Sequence, residues 1–289
     1  MRRRLLYLCL LLSALGAFAA VAVVLALSSG CEDFLRSEEL VTEAQQLGAA
    51  GRRQEAFAAV QTAVAIAPDN PRAHRELAMH FIARGKTDEA LEELQAASKA
   101  APRDAGLASE VALTMDALGD KKGALRWFRR AADIDPKDGL ILGLLAGSLL
   151  NAGETEEALA VGDRAVKLAP RMQPAQFNLG LARWRSGDRS GALEAFREAI
   201  RLRPSDVSAM LCAAGVSGEL ERWEEALRYT RRAVEIAPDN PNAWVGLGGA
   251  LVRTGDRRGA REAFSRAFQL DSGNAAARKA LFGSQRQAK

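Results

Sequence analysis

The chain has 289 residues, 48% hydrophobic and 26% charged, and three arginines at residues 2–4 supply most of its formal charge of +4. Without them, 37 basic residues face 36 acidic ones, which leaves no positive excess for a nucleic-acid phosphate backbone. The cysteines Cys9, Cys31 and Cys212 form no CxxC pair, and the only histidines, His74 and His80, lie six apart on different sides of a helical stretch, so no zinc ribbon, dithiol redox motif or other metal site is expected.

The first predicted element is apolar. From Leu5 to Leu27 there is no charge, and these 23 residues would span about 35 Å as a helix, enough for a hydrocarbon core of about 30 Å. Residues 1–30 are therefore read as a membrane anchor or signal segment, and 31–36 as a short linker. Three fates are open. The length favours an uncleaved single-pass anchor. Ala26 and Ser28 would permit cleavage, and SSGC at Ser28–Cys31 resembles the end of a lipoprotein box, which would make Cys31 a lipidated residue. In each case the arginines stay in the cytoplasm, so the rest of the chain is placed on the extracytoplasmic, periplasmic side.

Proline then recurs at Pro68, Pro102, Pro136, Pro170, Pro204 and Pro238, always 34 residues apart. Counting back gives seven units: 37–70, 71–104, 105–138, 139–172, 173–206, 207–240 and 241–274. Unit position 20 is alanine from Ala56 to Ala260, position 27 is alanine from Ala63 to Ala267, and position 8 is alanine or glycine throughout. Two antiparallel helices can approach closely where side chains are this small. Glycine at position 15 (Gly51, Gly85, Gly119, Gly153, Gly187, Gly255) ends the first helix of each pair, and only Glu221 departs from it.

The six residues IAPDNP, present at Ile66–Pro71 and again at Ile236–Pro241, form the turn between units. The first proline ends one helix, an Asp or Asn caps the next, and the second proline suits its first turn. After Asn274 the residues 275–289 read as a capping half-repeat with a polar tail.

In the last unit Trp244, Leu247, Gly248, Ala260, Phe264 and Ala267 stand at positions 4, 7, 8, 20, 24 and 27. This pattern resembles the tetratricopeptide repeat. The resemblance implies an all-α, right-handed superhelical solenoid of about seven helix-turn-helix repeats with a C-terminal capping helix, behind one hydrophobic transmembrane or signal helix. It also implies a non-enzymatic scaffold that binds a protein or peptide in its concave groove, in envelope, pilus or secretion machinery assembly. A regulatory subunit of a cell-envelope enzyme is the alternative.

No catalytic set appears: ARGKT at Ala83–Thr87 lacks the first glycine of a phosphate loop, and GLGG at Gly246–Gly249 falls inside a repeat helix. No cofactor or small-molecule substrate is inferred. Relatives that grip a C-terminal carboxylate carry Lys at position 5 and Asn at position 9, and no unit here has that pair. The concave positions are instead apolar. Phe177, Leu181 and Trp184 recur at i, i+4 and i+7 with Arg185 beside them, and Leu113, Leu150, Leu211 and Val245 extend the predicted partner-binding groove. Packing of that stripe against neighbouring helices is the competing reading.

Overall fold

The structure, a computed structural model, describes residues 30–282, and every regular element among them is an α-helix. The apolar run Leu5–Leu27, with the alternatives for its processing, lies outside the described residues, as does the tail 283–289. Among the described residues no helix is long and apolar enough to cross a membrane. Contacts divide the chain into two compact units, Met1–Ala124 and Leu125–Lys289.

The first unit holds α1 (30–49), α2 (Arg53–Ile66), α3 (Pro71–Ile82), α4 (Thr87–Ala100), α5 (Ala105–Ala117) and the start of α6 (Lys121–Ile134). The second holds the rest of α6, then α7 (Gly139–Ala152), α8 (Thr155–Leu168), α9 (Gln173–Ser186), α10 (Arg189–Leu202), α11 (Val207–Glu219), α12 (Trp223–Ile236), α13 (Pro241–Thr254), α14 (Arg257–Leu270) and α15 (Ala275–Phe282). Residues 31–36, expected as a linker, are instead part of α1. No proline or glycine interrupts the chain between Cys31 and Leu47, so nothing in it stops the helix.

The alanines at positions 20 and 27 sit where the helices meet. Ala56, Ala63, Ala90, Ala97, Ala158, Ala165, Ala192 and Ala199 are wholly buried. Larger residues fill around them, and in the second unit the main cluster is centred on Phe196, Met210, Leu193 and Val216. Phe196 is fully enclosed, with Phe177 at 5.8 Å and Trp184 edge-on at 6.3 Å between ring centroids.

Caps and turns follow the local chemistry. Asn70 accepts from the backbone N–H of Arg72 and Ala73, Asn240 from that of Asn242, and Pro71 and Pro241 occupy the first helical turn. Asp104, Asp138 and Asp206 cap in the same way, but at Met172 the side chain offers no acceptor. Met172→Asp is expected to raise stability by about 1 kcal/mol, read as a higher urea midpoint with unchanged slope.

The position-15 glycines take φ between +72° and +93°, and Glu221, which replaces one of them, is held at φ +58°. A side chain is strained there. Glu221→Gly should therefore stabilise the chain by up to about 1 kcal/mol, and a thermal midpoint that falls would contradict this account.

One recurrent bond was not legible beforehand. The carbonyl of the turn proline accepts from position 4 of the next helix, at His74 Nε2 to Pro68 (2.8 Å), Gln176 Nε2 to Pro170 (3.0 Å) and Trp244 Nε1 to Pro238 (2.8 Å). Where position 4 is Leu142 or Met210, an arginine donates instead, Arg164 to Pro136 and Arg232 to Pro204. His74 is thus a junction residue, with Glu93 2.6 Å from its Nδ1.

Candidate functional site

In the first unit the successive first helices are tied by polar bonds. Arg75 forks onto Glu110, and Gln45 Nε2 donates to Glu76 at 3.0 Å. Leu113 stands on α5 in this unit, 46% exposed. Cys31 is exposed on α1 and lines a recess with Phe34, Leu35 and Ile66.

The second unit contains a groove of about 570 Å³ between α11 and α13, lined also by residues of α12. Four glycines line it, Gly215 and Gly218 on α11 and Gly246 and Gly249 on α13, over the buried Ala214, Ala226, Thr230 and Ala250, and its apolar lining includes Leu211, Val245 and Trp223. In the polar lining Asn242 is exposed and accepts from Asn274 Nδ2 at 3.4 Å, while Glu219 and Thr230 are engaged by the fold. Glu219 accepts from Trp184 Nε1 at 2.9 Å and from Arg189 Nε at 2.7 Å, and Thr230 Oγ1 donates to the Ala226 carbonyl at 3.0 Å. Such a lining favours an uncharged occupant, because desolvating a charge in it would be uncompensated.

The glycines differ in what surrounds them. A Cβ on Gly215 would lie 3.1 Å from the tip of Trp184, one on Gly218 2.9 Å from Trp223, and one on Gly246 3.2 Å from Thr230. At Gly249, exposed in the middle of α13, a Cβ would meet nothing within 4 Å. The fold makes no use of that vacancy, yet a glycine inside a helix costs about 1 kcal/mol relative to alanine.

Of the predicted groove residues, Leu211 and Val245 line this cavity together. Phe177, Leu181 and Trp184 pack half-buried against the Phe196 cluster, so the stripe largely serves the core, with Trp184 forming a wall beside Gly215. Leu150 is a correction: it is only 2% exposed and cannot meet a partner, because α7 is buried along most of its length. Arg185 is exposed and donates to the Leu150 carbonyl. Sequence reading passed over Trp223, which sits at the start of a second helix; Arg253 stacks on its ring at 4.2 Å. The signal available was the run of glycines at facing positions, Gly215, Gly218, Gly246 and Gly249.

Burial pushes the Cys212 thiol up to about 11, with Asp206 adding to the shift. It is protonated near neutrality and lacks thiolate nucleophilicity. His80 is lowered by burial, and its Nε2 has no hydrogen-bond partner, consistent with a neutral ring packed edge-on to Phe57. Among the described residues no cluster of three or more His, Cys, Asp or Glu is placed to hold a metal ion.

Paired helices repeated at a constant interval, with an apolar groove between two first helices of the second unit, define a helical-repeat protein. The chain belongs to the tetratricopeptide repeat family, whose models match residues 2–171, 177–241 and 219–281. Arrays of this family generally mediate protein–protein interaction and are generally non-enzymatic scaffolds. The structure is similar to that of PilF from Pseudomonas aeruginosa, with a TM-score of 0.64 and 21% identity over 74% of this chain and 97% of that one. It is also similar to YrrB, described as a tetratricopeptide protein with an unusual peptide-binding site (TM-score 0.53, 16% identity, 68% of this chain and 99% of that one). A 96-residue stretch, 33% of this chain, is 35% identical to the CTR9 homolog of Arabidopsis thaliana and spans only 9% of that protein's length.

Proposed function

We propose that this protein is an interaction scaffold, tethered to or exported across the cytoplasmic membrane through residues 1–30, that captures an apolar segment of a partner protein in the groove between α11 and α13. The observation that carries this reading is Gly249. It sits mid-helix in the groove lining, where the chain's own packing has no need of a missing side chain. A partner backbone that approaches this helix closely supplies the need. Leu211, Val245 and Trp223 would receive its side chains, and Trp184 with Arg189 would hold Glu219 at the rim. The peptide-binding site described for YrrB is a family precedent for such capture.

A peptide library selected on the full-length chain in non-ionic detergent tests this. Uncharged peptides with large apolar residues should be enriched, and Gly249→Leu should weaken them by roughly tenfold or more while the chain melts no lower than wild type. Full affinity in the Gly249→Leu chain would remove the groove from the reading. The membrane side is tested separately. A membrane-impermeant thiol reagent applied to intact cells should label the exposed Cys31, unless incorporation of a palmitate analogue, lost in Cys31→Ser, shows that the thiol carries lipid. Labelling only after lysis, with no lipid, would place the repeats in the cytoplasm.

A further inference from the structure

A second surface lies on α14, away from the groove. In earlier repeats three arginines of the second helices have carboxylate partners one repeat on: Arg129 reaches Glu154 and Glu157, Arg189 reaches Glu219, and Arg197 reaches Glu225, the last three pairs at 2.7 Å. Arg129 and Arg197 share unit position 25, and Glu157 and Glu225 share position 19. The pairing is not continuous along the chain: position 19 is Gly123, Gly191 and Gly259 in the third, fifth and seventh repeats, so Arg231, at position 25 of the sixth, has no glutamate at position 19 of the repeat that follows. On α14 itself Arg257, Arg258, Arg261 and Arg266 line a groove of about 700 Å³ closed on one side by Leu281 of α15, with Glu262 as its only acid. Among the described residues Glu262 pairs with Arg258, and no carboxylate lies within 4 Å of Arg257, Arg261 or Arg266.

Solvation of a terminal repeat would explain polar residues here, and Arg261 does replace the Phe or Leu found at position 21 of every earlier repeat. It does not explain four guanidiniums against one carboxylate. Two of them, Arg257 and Arg258, stand in the first turn of α14, where the helix dipole disfavours positive charge and Asp256 already caps the end. The row from Arg257 to Arg266 runs about 14 Å along the helix, a length that suits a chain lying beside it.

We propose that this groove docks an acidic polypeptide segment of a partner, whose carboxylates pair with Arg257, Arg261 and Arg266 as Glu219 pairs with Arg189, the residue that shares unit position 17 with Arg257. Arginine rather than lysine supports carboxylate recognition, because the guanidinium fork binds it bidentately. The groove has a wall, at Leu281, which a flat anionic bilayer would not use.

The test uses the full-length chain in non-ionic detergent with a labelled glutamate-rich helical peptide, its glutamine counterpart and phosphatidylglycerol vesicles. The glutamate peptide should bind, and weaken as salt rises. Substituting Arg257, Arg261 and Arg266 together by Gln should cost roughly tenfold or more. Removing the same charge elsewhere, with Arg53, Lys99 and Arg103 changed to Gln, should cost far less, and Gly249→Leu should leave this binding unchanged, which separates it from the apolar groove. Equal binding of the glutamine peptide, equal loss in the control triple, or binding that is confined to vesicles would overturn the proposal, the last in favour of a membrane-facing surface.

Discussion

Phe196→Ala is expected to cost about 3–5 kcal/mol. The ring has no exposure, lies against Phe177 and Trp184, and covers the backbone of Gly180. No neighbour is free to fill the space it would leave, because Phe177 and Trp184 are pinned on α9 and the alanines around the ring have no reach. In a repeat array each unit is held by its neighbours, so the loss should loosen the fifth and sixth repeats together rather than the whole chain evenly. Urea unfolding followed by circular dichroism and by fluorescence checks both points, in a chain whose Trp127, Trp223 and Trp244 are replaced by Phe so that Trp184 reports on that cluster. Coincident transitions with a loss below about 1 kcal/mol would mean that the ring does not fill a shared core.

The second large contrast comes from making one substitution at two glycines. Gly180→Ala places a methyl 2.7 Å from the Phe196 ring, which is itself enclosed, so overpacking of about 1–3 kcal/mol outweighs the helix propensity gained. Gly249→Ala meets nothing within 4 Å and should stabilise the chain by about 0.5–1 kcal/mol. Opposite signs are thus expected from the same change in the same kind of helix. Should Gly249→Ala also destabilise, Gly249 would have a structural role, and its assignment to a partner would fall.

The interval of 34, the alanines at positions 20 and 27, and the turn IAPDNP made the paired helices legible before any coordinates. They are local requirements. A helix pair needs a small contact, a left-handed stop and a cap, and each need has its own residue type. Glu221 shows how strong the local geometry is, since it takes the left-handed conformation that its glycine counterparts adopt freely.

The candidate site was legible only in part. Leu211 and Val245 were recognised from their concave positions, and both line the groove. The stripe Phe177, Leu181 and Trp184 looks the same in sequence whether it faces a partner or a neighbouring helix, and it packs on Phe196, a residue of the following helix. Leu150 was misplaced for the same reason: periodicity gives the face of a helix but not what covers that face.

The sequence by itself determined the repeat, its period, the helix ends and the small contacts inside each pair, because these rest on interactions within one unit and with the turn beside it. Only the tertiary structure decided which apolar residues are spent on the core, which of the groove's glycines meets no neighbour, and which arginines find a carboxylate in the following repeat. Those outcomes depend on side chains about one repeat apart in sequence meeting across a helix interface, and no single unit encodes that meeting.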